Sequence, residues 1–206
     1  MAITNGYCTL AQIRQLGEWA AGDTADDAML ELSVEAASRQ IDGFCGRRFW
    51  VDGSVVARDY VAESSKLVEV DDISTTTGLI VATDTAGDGT FATTLTTADY
   101  LLFPLNAADE VPVRPYTSVL AVGTASLPCL SSGRPGVRIT AKFGWPAVPD
   151  NVEKACLTQA WQLYKAKDAP FGIATFGDMG GGLRVSGALN PIARALVDQY
   201  AKPAVG

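Results

Sequence analysis

The chain has no histidine among its 206 residues, only four cysteines, fewer basic than acidic side chains, and few aromatics. Without imidazole there is no Ser-His-Asp or Cys-His catalytic arrangement, no histidine metal ligand and no ordinary switch between pH 5 and 8. Cys8, Cys45, Cys129 and Cys156 show no CxxC spacing. A chain of this length buries a core without cross-links, and Met1–Thr9 lacks the basic and apolar pattern of an export signal, so reduced thiols are expected. No apolar run approaches the length that spans a bilayer, which predicts an unexported protein with no membrane partner. With 16 Lys and Arg against 23 Asp and Glu, the net charge of -7 argues against a freestanding nucleic-acid binder that works by neutralising phosphate. It is compatible with a wall past which DNA slides. The scarce tryptophans, Trp19, Trp50, Trp145 and Trp161, read first as packing residues, some of them interface anchors.

What is present changes period twice along the chain. Thr9 is placed to cap a short helix carrying Leu10, Ile13 and Leu16. After a break at Gly22-Asp23, Asp26 or Asp23 caps a second helix whose expected apolar stripe is Met29, Leu30, Leu32, Ala36, Ala37, Ile41 and Phe44, ending near Gly46. From Phe49 to Phe143 short β-branched runs take over, at 55–61, 66–70, 78–83, 100–103, 118–122 and 137–143. Asp71-Asp72 and the stretch Asp84 to Thr90 read as connections, the latter between antiparallel neighbours. Past Trp145-Pro146, Asp150 or Asn151 starts a helix to about Lys167, and a last helix runs from about Asn190 to Tyr200 with Ile192, Leu196 and Val197 as its apolar set.

The expected fold is α+β: a helical bundle with an inserted antiparallel β domain and an extended glycine-rich arm. The divisions are an N-terminal helical part over 1–49, the β domain over 50–145, and C-terminal helices over 146–206 with a flexible arm at about 169–188. Ordering a backbone so rich in glycine costs entropy, which is more economically met when a neighbouring subunit fixes it.

No catalytic constellation emerges. The Asp84–Thr90 segment lacks the ligand positions and closing Glu of an EF-hand, and Gly180–Gly182 is not followed by the Lys-Ser or Lys-Thr of a P-loop. Ser64, Ser65 and Lys66, like Ser131 and Ser132, read as loop residues rather than nucleophiles. The expectation is a protein that is no enzyme and has no cofactor or metal. The arginines are scattered along the chain and read as solvated or ion-paired.

Three segments carry a family resemblance: Tyr7-Cys8-Thr9-Leu10 at the helix entry, Ile41-Asp42-Gly43-Phe44-Cys45-Gly46-Arg47 at the end of the second helix, and Phe143-Gly144-Trp145-Pro146 before a helix started by Pro149. In this order and spacing the chain resembles the head-to-tail adaptor, or connector, proteins of long-tailed bacteriophages. The resemblance implies a structural virion protein at the neck, assembled in the host cytoplasm. It also implies a homo-oligomeric ring, commonly a dodecamer, with portal protein above, a neck or tail protein below, and DNA passing through without sequence-specific binding. The residues expected at its assembly interface are Arg47, Arg48, Phe171, Ile173, Phe176, Met179 and Leu183. Two other classes stay open: a monomeric protein-binding module, and a metal-assisted enzyme using Asp71, Asp72, Asp84 and Asp88.

Overall fold

The computed structural model describes residues 3–17, 19–20, 22–130, 133–168, 173–176, 181–184 and 188–202. Two units emerge, one formed by Met1–Arg48 with Val148–Gly206, the other by Phe49–Ala147.

The first unit is helical. Helix α1 (Leu10–Leu16) begins with a reciprocal capping box, in which Thr9 accepts the Gln12 backbone N–H and the Gln12 side chain accepts that of Thr9. Helix α2 (Asp27–Cys45) follows Asp26, whose side chain makes no capping bond. That carboxylate is already engaged by the Tyr164 hydroxyl at 2.7 Å and the Lys167 ammonium at 3.0 Å. Gly46 closes α2 at φ 61, a left-handed position that glycine adopts without a Cβ penalty. Helices α3 (Asp150–Lys165) and α4 (Pro191–Val197) complete the unit, α4 being capped by Asn190, which accepts the Ile192 N–H.

The buried stripe of α2 is Leu30, Ser33, Val34, Ala37, Ser38, Ile41 and Cys45. This corrects the expected stripe, because Met29, Leu32 and Ala36 face solvent. Ser33 and Ser38 take core positions by donating their hydroxyls to the carbonyls of Met29 and Val34, both at 2.8 Å, which satisfies a polar group that burial would otherwise penalise. Each fully buried Ile, Leu or Val here contributes about 1.5–3 kcal/mol. Gln159 of α3 is also fully buried and links three helices, donating to Gln40 and accepting the Asn190 N–H, each at 2.7 Å. On α4 the buried residues are Ala193 and Val197, whereas Ile192 is exposed, a second correction.

The region expected to be an extended arm is different in its described part. Strands β8 (Ile173–Phe176) and β9 (Gly181–Arg184) pair antiparallel, with Ile173 opposite Arg184 and Phe176 opposite Gly181. Ladder hydrogen bonds need only backbone groups, and the Ile-Ala-Thr-Phe run has strand propensity, so the glycines of β9 do not prevent pairing.

The second unit holds two antiparallel sheets. One has the order β1 (Val56–Tyr60), β7 (Val137–Ala141), β3 (Ile80–Thr83), β4 (Thr93–Leu95); the other is β2 (Leu67–Ile73), β6 (Tyr116–Ala121), β5 (Tyr100–Phe103). Val68, Ile73, Val81, Val119, Val137, Ile139 and Phe143 belong to one core. Asp71 and Asp72, expected in a connection, lie inside β2, and β4 was not foreseen. The strand accommodates Asp71 because its carboxylate meets Arg58 at 2.6 Å, and β4 is too short and threonine-rich to show alternation. The Asp84–Thr90 segment does join the antiparallel neighbours β3 and β4.

Candidate assembly interface

Arg47 and Arg48 stand directly after the left-handed Gly46, half-buried at the C-terminal end of α2, where positive charge complements the helix dipole. Ile173, Phe176 and Leu183 lie on the β8–β9 hairpin, Ala174 facing Leu183 across the ladder. Phe171 and Met179 lie outside the described residues, as do Ser131, Ser132 and Gly180.

Three of the four acidic residues of the enzyme alternative, Asp71, Asp84 and Asp88, are engaged in separate local contacts. Asp71 accepts from Arg58 and from the Tyr60 hydroxyl at 3.2 Å. Burial pushes the Tyr60 phenol above its usual range. Asp84 is almost fully buried and accepts the N–H groups of Gly87 and Gly89, both at 2.7 Å. Burial raises its carboxyl, but these backbone donors outweigh that and hold it below the ordinary 3.8. Asp88 accepts the Thr90 N–H at 2.7 Å. Among the described residues no three potential ligand side chains come together. The Ser64 hydroxyl accepts the N–H groups of Lys66 and Leu67, and the Lys66 ammonium caps the carbonyls of Gly123 and Ala125 at 3.0 and 2.6 Å. That is turn chemistry, with no base aimed at a nucleophile.

The arginines of the β unit are used internally. Arg138 binds Asp59 through two hydrogen bonds of 2.6 and 2.9 Å and stacks 4.1 Å over Phe91; Arg58 stacks 4.1 Å over Phe143. Arg114 pairs with Glu110 at 2.7 Å.

Sequence reasoning singles out Trp19 and Trp161 as packing residues or interface anchors, but their clustering and an apolar face of the β unit emerge only from the structure. In the helical unit, Trp19 meets Trp161 edge-on at 5.7 Å and Tyr164 at 5.4 Å, and Lys165 lies 4.8 Å over Trp161. Both tryptophans are only half-buried. The Tyr164 and Lys167 hydrogen bonds hold the Asp26 carboxyl low and push the Lys167 ammonium up. In the β unit, Leu67, Leu120 and Leu101 form a cross-strand row on the face opposite the buried Val68 and Val119. Leu101 and Leu105 line a groove of about 290 Å³ with Leu79, Tyr100 and Tyr116, and Val111 is 99% exposed on the loop between β5 and β6. Sequence alternation in β5 is masked because both of its faces carry leucine.

No family model and no curated protein sequence matches the chain. Solved structures do. The chain is 21% identical to a chain in the neck of an empty gene transfer agent (GTA) particle computed with C6 symmetry, with TM-score 0.56, covering 100% of this chain and 94% of that one. It is 22% identical to a chain in the virion of the native GTA particle (TM-score 0.55), and 19% identical to one in the native neck computed with C12 symmetry (TM-score 0.53), each with the same coverage. At these identities the likeness is one of fold, and it runs from the helical entry through the β unit to the last helix: this chain is built as chains of gene transfer agent particles are built.

Proposed function

We propose that the protein is a non-catalytic structural component of the neck of a phage or phage-like particle, a head-to-tail adaptor that forms a ring. The single observation that carries this reading is the fold likeness over 100% of the chain to chains of neck structures with C6 and C12 symmetry. It agrees in kind with the resemblance read from the sequence.

In this reading about twelve copies close a cyclic ring between a portal protein and a tail-side protein, assembled in the host cytoplasm, with DNA passing through. A cyclic ring is built from heterologous contacts, so each copy presents two different complementary patches. Exposed apolar side chains in both units, such as Leu32 and Ile192 in one and Leu105 and Val111 in the other, are material for such patches. Arg47 and Arg48, with Phe171, Ile173, Phe176, Met179 and Leu183 of the hairpin region, are assigned to subunit or partner contacts. The acidic composition suits a channel, because negative surface does not trap phosphate.

Native mass spectrometry over a concentration series, with and without portal protein, tests the proposal. A closed oligomer near twelve copies, alone or on the portal, is expected. A monomer under both conditions, together with binding to an unrelated partner, overturns it in favour of a monomeric binding module.

A further inference from the structure

The helical unit buries a pair of thiols that no part of the neck reading uses. Cys8 and Cys156 are 148 residues apart in sequence, yet their sulfurs lie 3.3 Å from each other. Cys8 is 4% exposed and Cys156 fully buried. Cys8 sits on the non-helical segment before α1, and Cys156 in the middle of α3.

The segment that carries Cys8 is held against α2 by several bonds. The Tyr7 N–H donates to the Ser38 hydroxyl at 3.1 Å, the Tyr7 hydroxyl donates to Asp42, and the N–H groups of Thr4 and Asn5 donate to Glu35. Ser38 Oγ is also 3.4 Å from the Cys156 sulfur. These contacts hold Cys8 with its sulfur beside that of Cys156. A disulfide needs the sulfurs at about 2.05 Å, a closure of roughly 1.3 Å that an irregular segment absorbs more easily than a helix.

We infer that Cys8 and Cys156 are an oxidisable pair whose closure to a disulfide clasps the N-terminal segment onto α3. The two sulfurs are inequivalent. The hydrogen bond between them and burial push the Cys8 thiol up, whereas that same bond pulls the Cys156 thiol down against burial, helped by Ser38 and the backbone N–H groups of Tyr7 and Cys8. Attack on an oxidant needs one of the two sulfurs as thiolate, and the second sulfur 3.3 Å away is placed to resolve the product.

With a hydroperoxide as oxidant, one sulfur of the pair, as thiolate, attacks one peroxide oxygen and the O–O bond breaks. The sulfur becomes a sulfenic acid and the departing hydroxide takes up a proton to leave as water. The other cysteine then attacks that sulfur; the S–S bond forms, the S–O bond breaks, and the hydroxide leaves with the second thiol's proton as a second water. Two thiols and one peroxide give one disulfide and two waters.

Cys45 is set apart, since burial pushes its thiol up to about 12. Cys129 is exposed, and its thiol donates to the Ala62 carbonyl at 3.0 Å. The clasp stands apart from the neck reading; only its timing, open during assembly in a reducing cytoplasm and closed after release, rests on it.

The test uses the full chain carrying Cys129→Ser, which removes the exposed thiol and its intermolecular products. It is incubated folded with hydrogen peroxide, alkylated, and mapped by peptide mass spectrometry without reduction. A Cys8–Cys156 cross-linked peptide is expected, with a Tm raised by roughly 5–10 °C that returns on adding dithiothreitol. The same treatment of Cys8→Ser and of Cys156→Ser is expected to give no cross-link and no rise. Free thiols at both positions after prolonged exposure of the folded chain overturn the inference. So does oxidation of either cysteine beyond sulfenic acid without the cross-link. Neither result touches the oligomer measurement, so failure of the clasp and failure of the neck reading are told apart.

Discussion

Gly144 backs onto Trp50 so closely that a Cβ at position 144 would lie 2.0 Å from the Trp50 carbonyl oxygen, and the glycine holds φ +119. Both facts reserve the position for glycine, the first by contact and the second by backbone conformation. The Gly144 N–H donates to the Asp72 carbonyl at 2.7 Å, and the adjoining Trp145 is buried against Phe49 at 5.2 Å. Gly144→Ala is therefore expected to destabilise the β unit by about 2–4 kcal/mol. Denaturant melts followed by tryptophan fluorescence check it, and a change within experimental scatter would contradict the geometry.

The two faces of α2 make opposite predictions. Ile41 is fully buried, so Ile41→Ala is expected to cost about 2–5 kcal/mol of folding stability. Leu32 is 54% exposed, so Leu32→Ala is expected to change the monomer's stability by no more than about 0.5 kcal/mol. Equal losses in urea titrations of the two variants would mean that the buried stripe is misplaced.

Asp84 gives a pH dependence whose sign is fixed. Its folded carboxyl lies below 3.8 because the Gly87, Gly89 and Asp88 N–H groups outweigh burial. A lowered folded pKa stabilises fully above the unfolded value, and that contribution is lost as pH falls through the folded one. The β unit is expected to lose stability below about pH 4, and Asp84→Asn to show a shallower acid slope together with lower stability at pH 7. Thermal melts between pH 2 and pH 7 compare the two; parallel profiles would remove Asp84 from the account.

In the proposed reading the β8–β9 region serves assembly. Deleting Gly172–Val185 with a short linker in its place is expected to leave the helical circular dichroism of the chain intact while abolishing ring formation. Sedimentation velocity with portal protein reads the outcome. Rings of unchanged size from the shortened chain would take Ile173, Phe176 and Leu183 out of the interface.

Much of the local chemistry was legible, although Asp26 was drawn away from capping α2 by Tyr164 and Lys167 far along the chain. Thr9 caps α1, the last helix starts at Asn190-Pro191, Gly46 ends α2, and Asp84–Thr90 joins two strands, because each depends on neighbours along the chain. The adaptor resemblance rested on segments such as Phe143-Gly144-Trp145-Pro146, and the structure supplies the reason for the glycine there. Signals that needed a partner far along the chain were not legible. Whether Leu30 or Leu32 is buried turns on where α3 lies, and serine reads as polar until its hydroxyl is seen bonded to the carbonyl four residues back. The run of glycines at 180–182 suggested an arm, whereas pairing of β9 with β8 needs only backbone groups.

By itself the sequence determined that histidine chemistry is excluded, that the chain runs helices, strands, helices, and where most elements begin and end, since composition and period act locally. Only the tertiary structure decided which apolar face is core, that Asp71 and Asp72 stand within a strand, and that Cys8 meets Cys156. Contacts between residues more than a hundred positions apart are set by how the elements pack, and no local pattern encodes which of two leucines turns inward or which two sulfurs meet.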